Sequence, residues 1–375
     1  MPFLSLSLYN FRNLHNQTID LLSREVYFTG LNGQGKSNLL EALYYSAYGS
    51  SFRTHNDSES IKNGQTEMSI RVLFREENNI IHSTVVSIKN NKKKIEKDGK
   101  ILHDRKELIN TIPCILYNHD DLDFAVGEPE RRRFFIDQSL SMYDEIYLDL
   151  LRNYKKILKN RNISLKERKY ELLDIYDKQL AINGIEIQKK RKNTVFQFNQ
   201  IFADIYEKVT GIEGVKIKYI PSWKKTGIEN SVSQYSDLSI PCVEEIIEYL
   251  NKKREIEKEM GTTMSGPHRD KIIFTRNEKI FVPTASTGQR RLLALVLRNA
   301  QAHFYKRITG KNPVLLMDDV MLELDPEKRE KVTSLLPDYD QLFCTFLPGE
   351  PYERYKTDKT KIFEIENGGW KEKNV

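Results

Sequence analysis

Residues 30–37 read Gly30-Leu31-Asn32-Gly33-Gln34-Gly35-Lys36-Ser37. The apolar stretch Val26-Tyr27-Phe28 before them predicts a buried strand. Asn38-Leu39-Leu40-Glu41-Ala42-Leu43-Tyr44 after them predicts a helix. A glycine-rich loop ending in Lys-Ser, set between a strand and a helix, is a phosphate-binding P-loop in its required context. A triphosphate is a dense anion, and holding it takes backbone N–H groups that approach closely. Gly30, Gly33 and Gly35 supply that freedom, with Leu31, Asn32, Gln34 and Asn38 completing the cradle. Lys36 adds a point charge for the β- and γ-phosphates. The Ser37 hydroxyl is the expected ligand of a Mg²⁺ bridging them.

The rest of the composition sets bounds. At 375 residues the chain has room for one large domain or two. Lys plus Arg number 59 against 53 for Asp plus Glu, a net +6 that permits nucleic-acid binding without requiring it. Cys114, Cys242 and Cys344 lie far apart and form neither a disulfide framework nor zinc spacing, which fits a reducing cytoplasm. Residues 1–5 open no signal peptide, and no apolar run is long enough for a membrane span.

Along the chain, residues 3–9 alternate like a half-exposed strand, and Met68–Phe74 and Ile80–Ile88 read as two more. Lys89-Asn90-Asn91-Lys92 and Lys97-Asp98-Gly99-Lys100 are hairpin signals. From Tyr143 to Thr210 there is no proline and one glycine, Gly184, with apolar residues at helical spacing. This predicts two or three helices of about 25 residues, each reaching about 37 Å. Lys155, Lys156, Lys159, Arg161 and Lys189-Lys190-Arg191-Lys192 enrich their polar faces, either as an ordinary solvated surface or as a DNA contact. Residues 211–241 carry Pro221, Gly227 and several serines, a charged helix follows over Val243–Met260, and a strand pattern returns at Asp270–Phe274.

Two further motifs complete a nucleotide site. Pro313-Val314-Leu315-Leu316-Met317-Asp318-Asp319 is an apolar strand ending in two acids, the Walker B pattern. Asp318 is placed to hold Mg²⁺ and Asp319 to polarise the attacking water. About 30 residues earlier, Ala285-Ser286-Thr287-Gly288-Gln289 opens an amphipathic helix, a second anion-binding helix end. One nucleotide needs both helix ends only if they come from different subunits. Glu323-Leu324-Asp325 and the strand Leu342–Phe346 then match the D-loop and switch strand of the ATP-binding-cassette (ABC) class.

Taken together, these blocks resemble the RecF family of bacterial replication and recombinational-repair ATPases over nearly the whole length. Asn10-Phe11-Arg12-Asn13, the stretch Gly30–Ala42, Ser51-Phe52-Arg53, Glu130–Asp137, Lys159–Asn162 and Ser265-Gly266-Pro267-His268-Arg269-Asp270 are similar to blocks of that family. The resemblance implies an α/β fold. An ABC-type P-loop ATPase head, a mixed sheet with helices, is built from residues 1–125 and 263–375, with a mainly α-helical arm over 126–262 inserted between them.

It further implies a homodimer that sandwiches two ATP molecules. Each is held by Lys36, Ser37 and Asp318 of one subunit and by Ser286, Gly288 and Gln289 of the other. Arg12 reaches the phosphates of its own subunit's nucleotide. Lys36, Asp319 and Ser286 carry catalysis in a weak, DNA-stimulated ATPase. Such dimers bind duplex and gapped DNA, at junctions with single strands, and act with RecR and RecO to load RecA; no membrane is involved. The chain departs from the wider class in places. Asp319 replaces the commoner Glu, which implies slow turnover; no Q-loop glutamine is evident near Tyr117–Asp121; and Thr345 is nearest to the missing switch histidine. An ATPase subunit of another SMC-like complex, or a DNA-binding scaffold with little hydrolysis, is the alternative. The absence of a long heptad run and the intact Lys36, Asp318 and Asp319 weigh against these. His268-Arg269-Asp270 reads as a structural turn rather than a catalytic triplet.

Overall fold

The computed structural model describes residues 2–76, 78–109, 111–224, 240–320 and 324–373. They divide into two compact units, Met1–His119 with Gln301–Val375, and Asp120–Ala300. The segment 263–300, which carries the Ser-Thr-Gly-Gln stretch, groups with the arm residues in this division, and the helix Thr287–Thr309 crosses it.

The first unit holds two six-stranded sheets. One is antiparallel throughout and runs Thr18–Asp20, Phe3–Tyr9, Glu67–Arg75, Ile81–Lys89, Lys92–Lys97, Lys100–Ile101. Its two tight turns use Asn90 and Asn91 (φ 50° and 58°) and Asp98 and Gly99 (φ 49° and 78°), residues that tolerate positive φ. The other sheet is mostly parallel. Its order is Gly369–Glu372, Thr360–Glu366, Glu25–Thr29, Gln341–Phe346, Val314–Met317, Cys114–Tyr117. Glu25–Thr29, Gln341–Phe346 and Val314–Met317 are buried along their whole length, as strands covered on both faces must be. The helix Lys36–Tyr48 packs between the two sheets. Leu39, Leu40 and Leu43 join Phe28, Val72, Phe74, Leu316 and Phe343 in one apolar core. This unit thus draws its sheet from both ends of the chain.

The second unit is helical around a small antiparallel sheet, Lys279–Ile280, Lys271–Arg276, Val215–Ile220. Tyr143–Thr210 resolves mainly into the helices Glu145–Lys166 and Leu173–Thr210, of 22 and 38 residues. The second exceeds the expected length and spans about 57 Å at 1.5 Å per residue. Gly184 sits inside it because the Trp223 ring lies 2.4 Å from where a Cβ would stand. The strand Val215–Ile220 lies in the stretch the sequence reading left irregular, and 225–239 lie outside the described residues.

The basic runs of this unit need correction. Arg161 is fully buried, bonded to Asp177 at 2.6 Å and Thr263 at 2.8 Å and paired with Glu257 at 2.7 Å. Arg191 is buried between Asp137 and Asp270, at 2.8 and 2.9 Å. Lys189 pairs with Glu186 and Lys190 with Asp144. A run of basic residues at helical spacing faces several directions, and the members that meet a buried carboxylate are structural.

His268 belongs to the same interior. It contacts the Tyr154 hydroxyl at 2.8 Å through Nδ1 and the Thr263 carbonyl at 3.2 Å through Nε2. The carbonyl can only accept, so Nε2 carries the proton and Nδ1 accepts from Tyr154. Burial lowers its pKa to about 4, keeping the ring neutral. Asp270 is fully buried and accepts from Gln188 and the Ser222 N–H, both at 2.7 Å. The Gly-Pro-His-Arg-Asp block is therefore a structural turn that ties a sheet strand to the long helix.

Candidate nucleotide site

The parallel sheet explains why distant residues meet. The strands Glu25–Thr29, Gln341–Phe346 and Val314–Met317 lie side by side and point the same way, so their carboxyl ends share one edge. Ligands of parallel sheets bind at that edge. The P-loop leaves the first strand there, Asp318 and Asp319 leave the third, and Thr345 is the penultimate residue of the strand between them.

In the loop, Gly30 N–H donates to the Phe346 carbonyl at 3.2 Å, and a Cβ on Gly30 would lie 2.4 Å from the Ile365 oxygen. Gly35 has φ 119°, a conformation that side chains rarely adopt, immediately before the helix. Lys36 is buried, and its Nζ donates to the Gly30 and Leu31 carbonyls at 2.8 and 3.1 Å. The ammonium thus spans the loop mouth. Leu31 is exposed and Asn32 and Gly33 lie open. Gln34 is fastened from outside the motif, accepting the Gly368 N–H at 3.0 Å and the Asn367 N–H at 2.6 Å. Asn13 donates to the Gly33 carbonyl at 3.1 Å and accepts from Asn38 at 2.7 Å.

The Ser37 hydroxyl donates to Asp318 Oδ1 at 2.7 Å. The adjacent hydroxyl and carboxylate are the hard oxygen donors that Mg²⁺ takes from protein, the remainder coming from phosphates and water. Asp318 has its pKa raised, chiefly by burial and further by the neighbouring Asp319 charge, against the hydrogen bonds from Ser37 and Thr345. Asp319 stands at φ 54°, and its N–H donates to Thr345 Oγ1 at 2.8 Å. That hydroxyl in turn lies 2.7 Å from Asp319 Oδ1 and 3.2 Å from Asp318 Oδ1.

Arg12 lies at the wall of an adjoining cleft of about 630 Å³ with Asn38, Arg53 and Lys62. Its guanidinium grips the fully buried Glu41 through Nε and Nη2 at 3.0 and 2.6 Å, while Nη1 donates to the Glu59 carbonyl at 2.7 Å. Arg53 also lines the smaller pocket formed by Gly33, Lys36, Ser37 and Asp319, and donates to Asn38 at 2.6 Å. Arg53, Asn13, Asn367 and Gly368 lie outside the candidate residues read from the sequence. Asn-Gly between the runs Ile-Phe-Glu-Ile-Glu and Gly-Trp-Lys-Glu was a hairpin signal that could have found the last two.

Ser286 and Gln289 belong to the second unit. The Ser286 N–H donates to Gln289 Oε1 at 2.8 Å and the Gln289 N–H to Ser286 Oγ at 3.2 Å, a reciprocal capping box. This leaves Thr287 and Gly288 as first-turn positions without an intrahelical acceptor. Gly288 is exposed, and a Cβ there would meet no atom within 4 Å. Among the described residues, nothing requires glycine at that position. Glu323 of the D-loop stretch lies outside the described residues, and Asp325 caps the helix Pro326–Ser334 by accepting the Lys328 N–H at 2.9 Å.

A P-loop with Lys-Ser, two aspartates ending a parallel strand one position removed, and a mixed sheet closed by both chain ends define an ATP-binding head of the ABC and SMC type. The family model described as RecF/RecN/SMC N terminal domain matches residues 3–368. The DNA replication and repair protein RecF of Treponema pallidum (strain Nichols) is 51% identical over 361 residues, covering 96% of this chain and 98% of the relative. Its counterpart in Leptospira interrogans (serovar copenhageni) is 32% identical, covering 97% of each. Among solved structures, the recombination mediator protein RecF with ATP, of the RecFOR pathway, has a TM-score of 0.86 at 28% identity, covering 99% of this chain and 97% of that one. An SMC head bound to part of ScpA, at 16% identity and a TM-score of 0.59, shares the fold. The chain belongs to the RecF family.

Proposed function

We propose that this chain is an ATP-gated DNA-binding protein of DNA replication and recombinational repair. The observation that carries the reading is the joint placement of Lys36, Ser37, Asp318, Asp319 and Thr345 at one sheet edge. The ATP-bound relative and the DNA replication and repair proteins of the family support it.

In this reading Lys36 and the P-loop N–H groups hold the β- and γ-phosphates, and Arg12 and Arg53 face them from the adjoining cleft. Ser37 and Asp318 would hold Mg²⁺, which would supply positive charge to offset that of the phosphates. Asp319 orients the attacking water. The helix end at Ser286, Gly288 and Gln289 closes on the nucleotide of a second copy, and the unfilled space at Gly288 suits that approach. The functional head then comprises 1–125 and 263–375, with 126–262 as the arm. Shifting a pair of heads from mostly open to mostly closed takes about 5 kcal/mol, within reach of several charge-assisted hydrogen bonds to a γ-phosphate. Slow hydrolysis opens the dimer and releases duplex or gapped DNA. RecO and RecR are the expected partners in assisting RecA loading, in the cytoplasm.

The test is light scattering with a non-hydrolysable ATP analogue. The native chain should double in mass. Lys36→Met should bind no nucleotide. Ser286→Arg should bind nucleotide, remain single and lose turnover; normal turnover by that variant removes Ser286 from the composite site.

A further inference from the structure

The helix Glu145–Lys166 keeps its acids, Glu145 and Asp149, in its first half, and no Asp or Glu occurs from Leu150 to Lys166. Lys155, Lys156, Lys159 and Lys166 are all exposed, and none has a carboxylate partner among the described residues. On other helices of the same unit, several surface lysines are paired within a turn. Lys189 meets Glu186, Lys208 meets Asp204, Lys252 meets Glu248 and Lys258 meets Glu255, at 2.6–2.8 Å. Only Lys166 lies in the last turn, where the helix dipole favours a cation; Lys155, Lys156 and Lys159 lie too far from the end for that to account for them.

At 100° per residue, Lys155, Lys159 and Lys166 fall within about 40° of arc, with Lys156 beside them, along about 16 Å of helix. The side chains form a ridge, and Lys155, Lys159 and Lys166 line a shallow groove together with Leu158, Asn162 and Ile163. We propose that this ridge is a docking surface for the phosphate backbone of duplex DNA. This rests on the DNA-binding reading above and assigns it a place. Each strand of a duplex presents one charge per ~3.4 Å of axis, so ~16 Å of ridge lies opposite about five phosphates of one strand, enough to engage every lysine of the ridge. Single strands are held by stacking on exposed aromatic rings. The helix offers none, since Tyr147 and Tyr154 are buried. The occupant is therefore duplex, read through charge and without base selection.

The experiment is fluorescence-anisotropy titration of a blunt duplex with the full-length protein and a non-hydrolysable ATP analogue, across salt concentrations. The ridge variant is K155Q/K159Q/K166Q and the control is K189Q/K252Q/K258Q, which removes the same number of lysines from paired positions. Unchanged nucleotide binding and thermal midpoint show that both are folded. The ridge variant should bind at least tenfold more weakly. Its slope of log K against log salt should flatten by about 2.7, at about 0.9 per phosphate contact, while the control keeps the native slope. If the native chain binds duplex and the ridge variant keeps its slope and affinity, the ridge proposal alone is overturned. If the native chain binds no duplex with ATP present, the DNA-binding reading falls and the ridge with it.

Discussion

Thr345 and Asp319 are bonded to each other twice: the Asp319 N–H donates to Thr345 Oγ1 at 2.8 Å, and that hydroxyl lies 2.7 Å from Asp319 Oδ1. The pair holds the second Walker B carboxylate at a positive φ of 54°. Thr345→Val keeps the shape and removes both bonds. Loss of about 1–2 kcal/mol of positioning should lower kcat roughly tenfold while KM for ATP stays within about twofold. Thr345→Ser should restore kcat. A valine variant that raises KM and leaves kcat alone would show that Thr345 acts on binding instead.

Asp318 is a carboxylate held in a state it resists. Burial and the Asp319 charge raise its pKa, so the folded chain disfavours its charged form, and its stabilising contribution is lost as pH rises through that pKa. Asp318→Asn keeps an oxygen for Ser37 and drops the charge. Without nucleotide the thermal midpoint at neutral pH should rise by about 1–3 °C. The further rise on adding ATP with Mg²⁺ should disappear. A lower midpoint in the nucleotide-free variant would contradict the electrostatic account.

His268 titrates in the opposite sense. Its pKa falls from 6.5 to about 4, mainly by burial and then by Arg269, Arg133 and Arg161, against the bond to the Thr263 carbonyl. A lowered histidine contributes stability that is present above 6.5 and lost as pH falls toward about 4. The full difference amounts to about 3 kcal/mol. His268→Gln cannot charge, so its melting temperature should fall less steeply than the native one across that window. Parallel curves would assign the acid sensitivity elsewhere.

Arg161 sits between Asp177 and Glu257, all fully buried. Asp177 keeps Arg254 at 2.6 Å if Arg161 is lost, whereas Glu257 is left charged and uncompensated. Arg161→Met should cost about 3 kcal/mol in urea denaturation. R161M/E257Q should recover a good part of it. A surface lysine-type loss of a few tenths would refute the buried arrangement.

The strand–loop–helix around Lys36, the Walker B strand and the two hairpin turns were legible because each is local: apolar runs, glycine at strained positions, and Asn or Asp-Gly at turns. The capping of Ser286 by Gln289 was implicit in a Ser-x-x-Gln spacing. What sequence could not supply was neighbourhood. The roles of Thr345, Arg53 and Asn13 depend on which strands lie side by side, and the fate of Arg161 and Arg191 on which carboxylate shares their interior. Helical spacing predicts a face but not the identity of what it meets, so a basic run divided into structural cations and a free ridge.

The strand that launches the P-loop has both of its sheet neighbours, Gln341–Phe346 and Thr360–Glu366, at the far end of the chain. A ribosome adds about 5–20 residues per second, so this strand emerges and then waits some tens of seconds before either neighbour exists. Gln341 then clasps Phe3, Leu21 and Ser23 as it arrives, at 2.7–3.1 Å. The cradle is thereby completed only as the C-terminal part of the polypeptide arrives, and a chain cut short upstream of Gln341 lacks both sheet neighbours of the strand that launches the P-loop.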